Sequence, residues 1–466
     1  MKAIHDPTHA LTAGLATIRG QFQVPGRFPE VVLAAAEEAA RRVPDAHRDR
    51  TDERFVTLDP ASSTDLDQAF ALEWAGGSTA GADLILHYAI ADVAWFVADG
   101  GVIDAEAWRR GTTLYLPDSK AGLYPPVLSE GAASLLPEGP RPAVVFRIRI
   151  DPAGKASLDG AERAIIHSRA KLAYDTVAER DLPAGFAELS RRIAAAEAVR
   201  GAARVDPPEQ EVAALGEGSF TLAFRPRLVS ESRNAALSLA ANLAIADALF
   251  AAGTGLFRVM AEPDAGAVAR LRQTAAALRL VWPAAMLLAD FERGLAASDA
   301  NEAAMMLAVR RAGQGASYRA FVAGEVPWHS AMAASYVHAT APLRRLADRH
   351  VVMAALAVAN GEAVPDAVSA AFARLPKVMA RADALSGQIE RAVIDLAETV
   401  MLAGRDGEVF DAVVTDEDER GVRIQLVDLP IVARVVAHRV EPGSRMRVTL
   451  VGADPVMRKL TFQRLA

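Results

Sequence analysis

No cysteine occurs anywhere in the 466 residues. That absence removes disulfides, thiolate zinc sites and thiol nucleophiles together, and it fits a reducing compartment. The start of the chain, Met1-Lys2-Ala3-Ile4-His5-Asp6-Pro7, contains no apolar core segment, so it is not expected to be a secretory signal. No apolar run reads as a membrane span either. The most apolar windows carry Asn242 and Asp247, or Arg270, Arg272 and Arg279. An excess of positive charge is lacking too: 51 Lys and Arg face 58 Asp and Glu, for a formal net charge of −7. The deficit lies in the body of the chain, because ten basic residues balance ten acidic ones from Arg405 onward. These absences lead us to expect a cytoplasmic protein with no membrane contact. Any nucleic acid it binds must enter a local basic channel, since the global field would not attract a polyanion.

What is present is a globular composition. Apolar residues make up 52% of the chain, which excludes a mainly disordered protein, and the length suits about three domains. Much of the apolar fraction is alanine, a strong helix former.

One stretch stands out, Thr57-Leu58-Asp59-Pro60-Ala61-Ser62-Ser63-Thr64-Asp65-Leu66-Asp67-Gln68-Ala69-Phe70. Asp59, Asp65 and Asp67 fall within nine residues, between apolar segments that read as strands. Like charges at this spacing repel unless solvent or cations neutralise them. Hard divalent ions prefer carboxylate oxygen, so a metal loop and a solvated turn are both open readings. An EF-hand is excluded, because the loop has neither the required Gly at its sixth position nor the Glu at its twelfth.

Residues 1 to about 50 read as a small helical region, with a helix over Val31–Arg42 and no all-β unit. From Arg54 to about Asp151 the pattern is strand-like. Leu72–Trp74 and Leu84–Tyr88 flank Gly76-Gly77 as a hairpin, and Ala143–Ile150 alternates as a half-exposed strand. About 160 to 400 looks largely helical: Ala235–Ala252 is apolar nearly all round, a helix is expected to start at Thr340 with Pro342 in its first turn, and Val378–Leu402 forms another. After Gly404, five short strands in about sixty residues have the size of an OB barrel. The expected architecture is a multidomain α+β chain with segments 1–50, 51–403 and 404–466.

Several of these segments together resemble the ribonuclease II/ribonuclease R (RNB) family of exoribonucleases. Phe55–Pro60 with Asp65-Leu66-Asp67 resembles the family's metal-binding signature, His87–Val93 its "HIADV" strand, and Arg110–Pro117 its "RGTSVYL" segment. Leu128–Leu135 follows as in the family, and Tyr336–Arg345 resembles "YTHFTSPIRRY". The resemblance implies a mixed sheet-and-helix RNB catalytic domain closed by a five-stranded RNA-binding OB barrel. It also implies a processive, magnesium-dependent 3′→5′ exoribonuclease that takes single-stranded RNA to nucleoside 5′-monophosphates with two metal ions, with manganese as a substitute and a monomeric chain.

By the same resemblance, Asp59, Asp65 and Asp67 hold metal and Gln68 takes the fourth position, where the family has Asp. The lost charge leaves a second reading open, a catalytically impaired relative that only binds RNA. Asp67 and Arg344 match catalytic positions, Tyr115 the tyrosine that stacks on the 3′-terminal base, and Arg345 and Glu390 positions on the RNA path. Phe220 and Phe224 are the nearest candidates for a partner aromatic. His87, His338 and Asp92 are expected to be structural. The resemblance further leads us to expect no cold-shock-type OB domain ahead of the acid loop, and hence weaker anchoring of RNA on the surface.

Overall fold

The computed structural model describes residues 2–465 apart from 5, 7, 8, 77–80, 204–208, 217, 218, 226, 297, 298 and 314. At its centre is a seven-stranded sheet in the order Ser168–Ala173, Phe55–Asp59, Gln68–Trp74, Leu84–Ala91, Arg141–Ile150, Ala156–Ile166 and Arg48–Asp49. The inner strands pair antiparallel, and both outermost pairings are parallel. Leu84–Ala91 lies mid-sheet and is buried almost throughout, which explains an apolar run broken only at the half-buried His87. The expected hairpin forms, with Trp74 in register with Leu84; Gly77 of its turn lies outside the described residues.

One face of the sheet is charged, as the alternation of Arg147 and Arg149 implied. Both guanidiniums pair with Asp159, and Arg149 also with Asp83. The other face packs against the helix Val229–Ala251. By length and composition that helix could cross a membrane, contrary to the sequence reading. Most of it is buried inside the fold, with Ala240, Ile245 and Leu249 fully enclosed in the main core.

Several expectations need correcting. The stretch expected to be largely helical contains the strands Ala156–Ile166 and Ser168–Ala173 and the hairpin Glu209–Gly216/Ser219–Arg225. The hairpin's alanines and glutamates favour a helix locally. Pairing of Lys2–Ile4 with its second strand adds a third strand and overrides that preference. The first fifty residues are therefore not wholly helical. Besides that strand they carry the helices Ala10–Gln21 and Glu30–Ala40, and Leu11, Leu15 and Ile18 share a core with Leu396, Ala397 and Val400.

The helix expected from Val378 begins at Asp366 and runs 37 residues to Leu402 with Pro376 inside it. Proline lacks an amide and crowds the preceding turn, so the sequence suggested a start beyond it. Val368, Phe372, Leu375 and Met379 are buried on both sides of Pro376 and carry the helix through.

The strands Leu256–Val259 and Ser317–Ala320 pair with each other, and the helices between them form a lobe with its own core of Leu271, Leu278, Phe291, Met305 and Val309. Val409–Asp418, Gly421–Leu426, Val432–Val435, Arg445–Asp454 and Lys459–Arg464 close the expected five-stranded barrel around Val414, Ile424, Val448 and Leu450.

Candidate active site

The acid loop leaves the central sheet after Asp59 and re-enters it at Gln68. Its backbone is held from four sides. Ser134 is fully buried; its hydroxyl donates to Thr64 O and accepts from Leu66 N at 2.8 and 2.9 Å. Ala91 N donates to Asp67 O at 2.9 Å, Tyr174 N to Asp59 O at 3.2 Å, and Asn234 Nδ2 to Leu58 O at 3.1 Å. The loop conformation is thus set by partners from 24 to 176 residues away.

Arg344 reaches the loop from the far end of the chain. Its Nε donates to Asp67 Oδ2 at 3.0 Å, and Leu343 N donates to Asp67 Oδ1 at 2.7 Å. Asp67 is almost fully buried. Burial pushes its carboxyl up to about 7, against the pull of the Arg344 guanidinium and the Leu343 amide. The Arg344 side chain stays 43% exposed, and Nε is its only hydrogen-bonded nitrogen among the described residues. Its two terminal nitrogens are therefore available to a ligand.

The helix expected to start at Thr340 starts at Leu346 instead, so Arg344 and Arg345 precede it rather than sit in its first turn. Ala341 N bonds Asp348 Oδ2 at 2.8 Å, and Thr113 N bonds Arg344 O at 2.9 Å. The Thr113 bond takes the Arg344 carbonyl that a continuing helix would use, and the bonds to Asp348 and Asp67 hold Ala341 and Leu343 in a separate turn. Gly111, Thr112 and Thr113 clasp this turn: Leu346 N donates to Gly111 O and Thr112 Oγ1 to Arg344 O. Gly111 has φ +75°, and an added Cβ would lie 3.0 Å from Ala382 Cβ, so only glycine suits it.

Tyr115 is half exposed, and its hydroxyl donates to Asp65 Oδ2 at 3.1 Å. Lys120, a residue the sequence reading passed over, pairs with Asp65 at 3.0 Å and with Glu130 at 3.1 Å. Arg345 does not fit the expected RNA contact. Both its Nε and Nη2 are committed to the fully buried Asp348, at 2.9 and 2.7 Å. Glu390 lies exposed within the long helix Asp366–Leu402. Phe220 belongs to the core shared with the N-terminal helix and cannot face Tyr115 as a free ring; Phe224 is half-buried.

Both histidines and Asp92 are structural. His87 Nδ1 accepts from Arg50 Nη2 at 2.9 Å, which leaves its proton on Nε2, toward Glu73. Tyr318 holds His338, whose pKa burial lowers well below the usual value. Asp92 caps a short helix and pairs with His47 and Arg163.

Gln68, expected at the fourth metal position, has its amide oxygen engaged by other groups. It pairs in register with Ile90, so its side chain shares the face of Tyr88 that turns toward the Val229–Ala251 helix. Tyr88 O–H donates to Gln68 Oε1, Ser238 Oγ lies 3.0 Å from the same oxygen, and the two hydroxyls are 2.8 Å apart. Burial raises the Tyr88 pKa and keeps its proton in place.

Among the described residues no three carboxylate or imidazole groups form a ready-made metal cage. The donor set nevertheless fits a hard cation at Asp59. Its Oδ2 is shielded from solvent and makes no hydrogen bond, an uncommon state for a carboxylate oxygen. Burial pushes the Asp59 carboxyl up to about 6; Arg344 and Lys171 pull against this, and the neighbouring Asp65 adds to it. A divalent ion would reverse both penalties.

Residues 47–358 match the RNB domain, and residues 408–465 match the RNase II-type exonuclease C-terminal S1 domain. The chain belongs to the RNB family. RNB exoribonucleases are generally dependent on divalent metals. The ribonuclease R of Thermotoga maritima is 24% identical to this chain over 449 residues, covering 89% of this chain and 62% of that protein. The chain thus spans less than two thirds of that relative's length.

Among solved RNB structures, Mycoplasma genitalium RNase R in complex with ribose-methylated single-stranded RNA superposes with TM-score 0.86 at 19% identity, over 98% of this chain and 78% of that one. Yeast Ssd1, a pseudonuclease, shares the fold with TM-score 0.67 at 15% identity, over 96% and 57%. The RNB fold is thus shared by a ribonuclease R and a pseudonuclease.

Proposed function

We propose that this chain is a divalent-metal-dependent 3′→5′ exoribonuclease that degrades single-stranded RNA processively to nucleoside 5′-monophosphates. One observation carries the reading: Arg344, anchored through Nε on Asp67, presents two free guanidinium nitrogens beside Asp59, Asp65 and an exposed Tyr115. A fixed guanidinium suits a phosphodiester, since it grips two oxygens and meets charge that grows during displacement. Asp67 sets its aim and neutralises part of its charge.

Asp59 and Asp65 would hold the divalent ion. When bound, such an ion supplies charge neutralisation at the phosphate and acidifies a water for attack. The Tyr115 ring offers a face on which any terminal base can stack, giving grip without sequence choice.

The barrel adds a backbone grip. Arg423 and Arg434 oppose each other in register on neighbouring strands, and Arg311 from the helical lobe stands beside them. Asp416 pairs with Arg311 at 3.4 Å. These guanidiniums give this side of the barrel a positive charge that suits a phosphate chain.

A time course on 5′-labelled single-stranded RNA tests the reading, with magnesium, with EDTA, and with Asp67→Asn. The expected result is stepwise shortening only with the unaltered chain and magnesium, and continued shortening after unlabelled RNA is added as a trap. RNA that stays intact while still shifting in a gel would make the chain an RNA binder, the reading that Gln68 favours.

A further inference from the structure

We infer that the acid loop holds a single divalent cation, between Asp59 and Asp65, and that Gln68 is a buried strut rather than a ligand of a second ion. The inference rests on the metal-dependent reading above, but concerns how many ions the site can hold.

Each potential oxygen donor can be followed. Asp59 Oδ2 is shielded and has no partner. Asp65 accepts from Lys120 and from the Tyr115 hydroxyl, both partly exposed side chains. Lys120 is a flexible ammonium that also pairs with Glu130, so an arriving cation can displace it and leave it paired. Asp67 differs from Asp65 in having a backbone amide and a charge-matched guanidinium as partners, not a flexible ammonium. One oxygen takes the Leu343 amide and the other takes Arg344, and both partners are fixed by the clasp of Gly111, Thr112 and Thr113.

The Gln68 oxygen is enclosed by two hydroxyls. Tyr88, Ser238 and Gln68 form a triad in which two hydroxyl protons are shared among three oxygens. All three members sit on regular elements: Gln68 and Tyr88 are on paired strands and Ser238 is on the central helix. Turning Gln68 toward a cation would leave the two hydroxyls only each other, with one hydroxyl proton lacking an acceptor, and an unpaired buried polar group is costly.

Charge gives the same answer. Two divalent ions a few ångströms apart bring four positive charges. Asp59 and Asp65 supply two negative ones, and the charge of Asp67 is already matched by Arg344. One ion with two carboxylates, waters and a substrate phosphate is a complete octahedral set for a magnesium-like cation.

The test counts ions rather than turnover. The full chain is titrated with Mn²⁺, and the free ion is followed by electron paramagnetic resonance, alone and with AMP as a phosphate that cannot be shortened further. One strong site per chain is expected in both cases, lost in Asp59→Asn. Gln68→Ala is expected to keep that site with unchanged affinity, its fold checked by circular dichroism. Gln68→Asp puts a charge into the same enclosed position and is expected to add no second ion; a second strong site in that variant would also overturn the inference. Two strong sites in the unaltered chain, or none, would overturn the inference. So would an affinity drop of about tenfold or more in a folded Gln68→Ala. If one ion binds but RNA stays intact, only the exonuclease reading fails.

Discussion

At the scale of single residues, the site works by commitment of side chains. Arg344 is useful because Asp67 takes only its Nε. Arg344→Ala should lower kcat by about a hundredfold to a thousandfold, the usual loss when a charge-stabilising donor is removed. Arg344→Lys should restore little, because an ammonium cannot hold Asp67 and a phosphate in one plane; single-turnover rates on short RNA measure both. Tyr115 separates two roles. Tyr115→Phe loses the bond to Asp65 but keeps the ring, whereas Tyr115→Ala should weaken RNA binding by about 1–3 kcal/mol, the worth of one stacked base. Equilibrium binding in EDTA distinguishes them. The carboxyls of Asp59 and Asp67, pushed up to about 6 and 7 by burial, are protonated at lower pH. Protonated carboxyls neither hold a cation nor fix Arg344. Cleavage should therefore decline as pH falls through that window, most steeply at low metal, where no cation pulls the pKa values down. A pH–rate profile at two metal concentrations shows this.

At the scale of elements, the turn before Leu346–Ala359 is the joint between the two halves of the site. Asp348, on that helix, is fully buried, takes two bonds from Arg345 and accepts the Ala341 amide. Asp348→Ala leaves Arg345 without its partner and should cost about 3–5 kcal/mol in denaturant melts, as for other broken buried pairs. Thr340 and Pro342 look like the start of a helix, and local propensity alone would make one. Bonds to Asp67, Thr113 and Asp348 outweigh it, and no residue within the segment announces them. Barrel strands, by contrast, were readable to within three residues because alternation and turns are local. Their opposed Arg423 and Arg434 predict a salt effect: Arg423→Ala should weaken RNA binding across all sequences and reduce the salt slope by about 0.7, the value for one phosphate contact on a single strand.

At the scale of the whole molecule, Glu398 near the end of the long helix ties three parts together. Its Oε1 accepts Val432 N from the barrel and Gln210 Nε2 from the Glu209–Gly216/Ser219–Arg225 hairpin, both at 2.7 Å. Burial pushes its carboxyl up to about 8, against those two bonds, with Asp395 adding to the rise and Arg423 opposing it. In the unfolded chain it titrates near the ordinary glutamate value. Between those values the folded state binds more protons than the unfolded one, so stability from this group falls as pH rises from about 4.5 to about 8. Glu398→Gln keeps the acceptor oxygen without the charge. Thermal melts from pH 5 to 8 should show a flatter dependence for the variant, and a higher midpoint at pH 8.

The sequence alone determined the composition of the parts. Periodicity and turn residues marked the barrel, the core helix and the sheet hairpin, because those signals lie within a few neighbouring residues. Motif order carried the family, the acid loop, Arg344 and Tyr115. Tertiary structure alone decided how those parts are spent. It committed Arg345 to Asp348, placed Phe220 in a core, enclosed Gln68 with Tyr88 and Ser238, and left Asp59 with an unpaired oxygen. Each of these depends on which distant residue arrives beside a side chain, and in a buried site that neighbour fixes both the hydrogen bonding and the charge a group can carry.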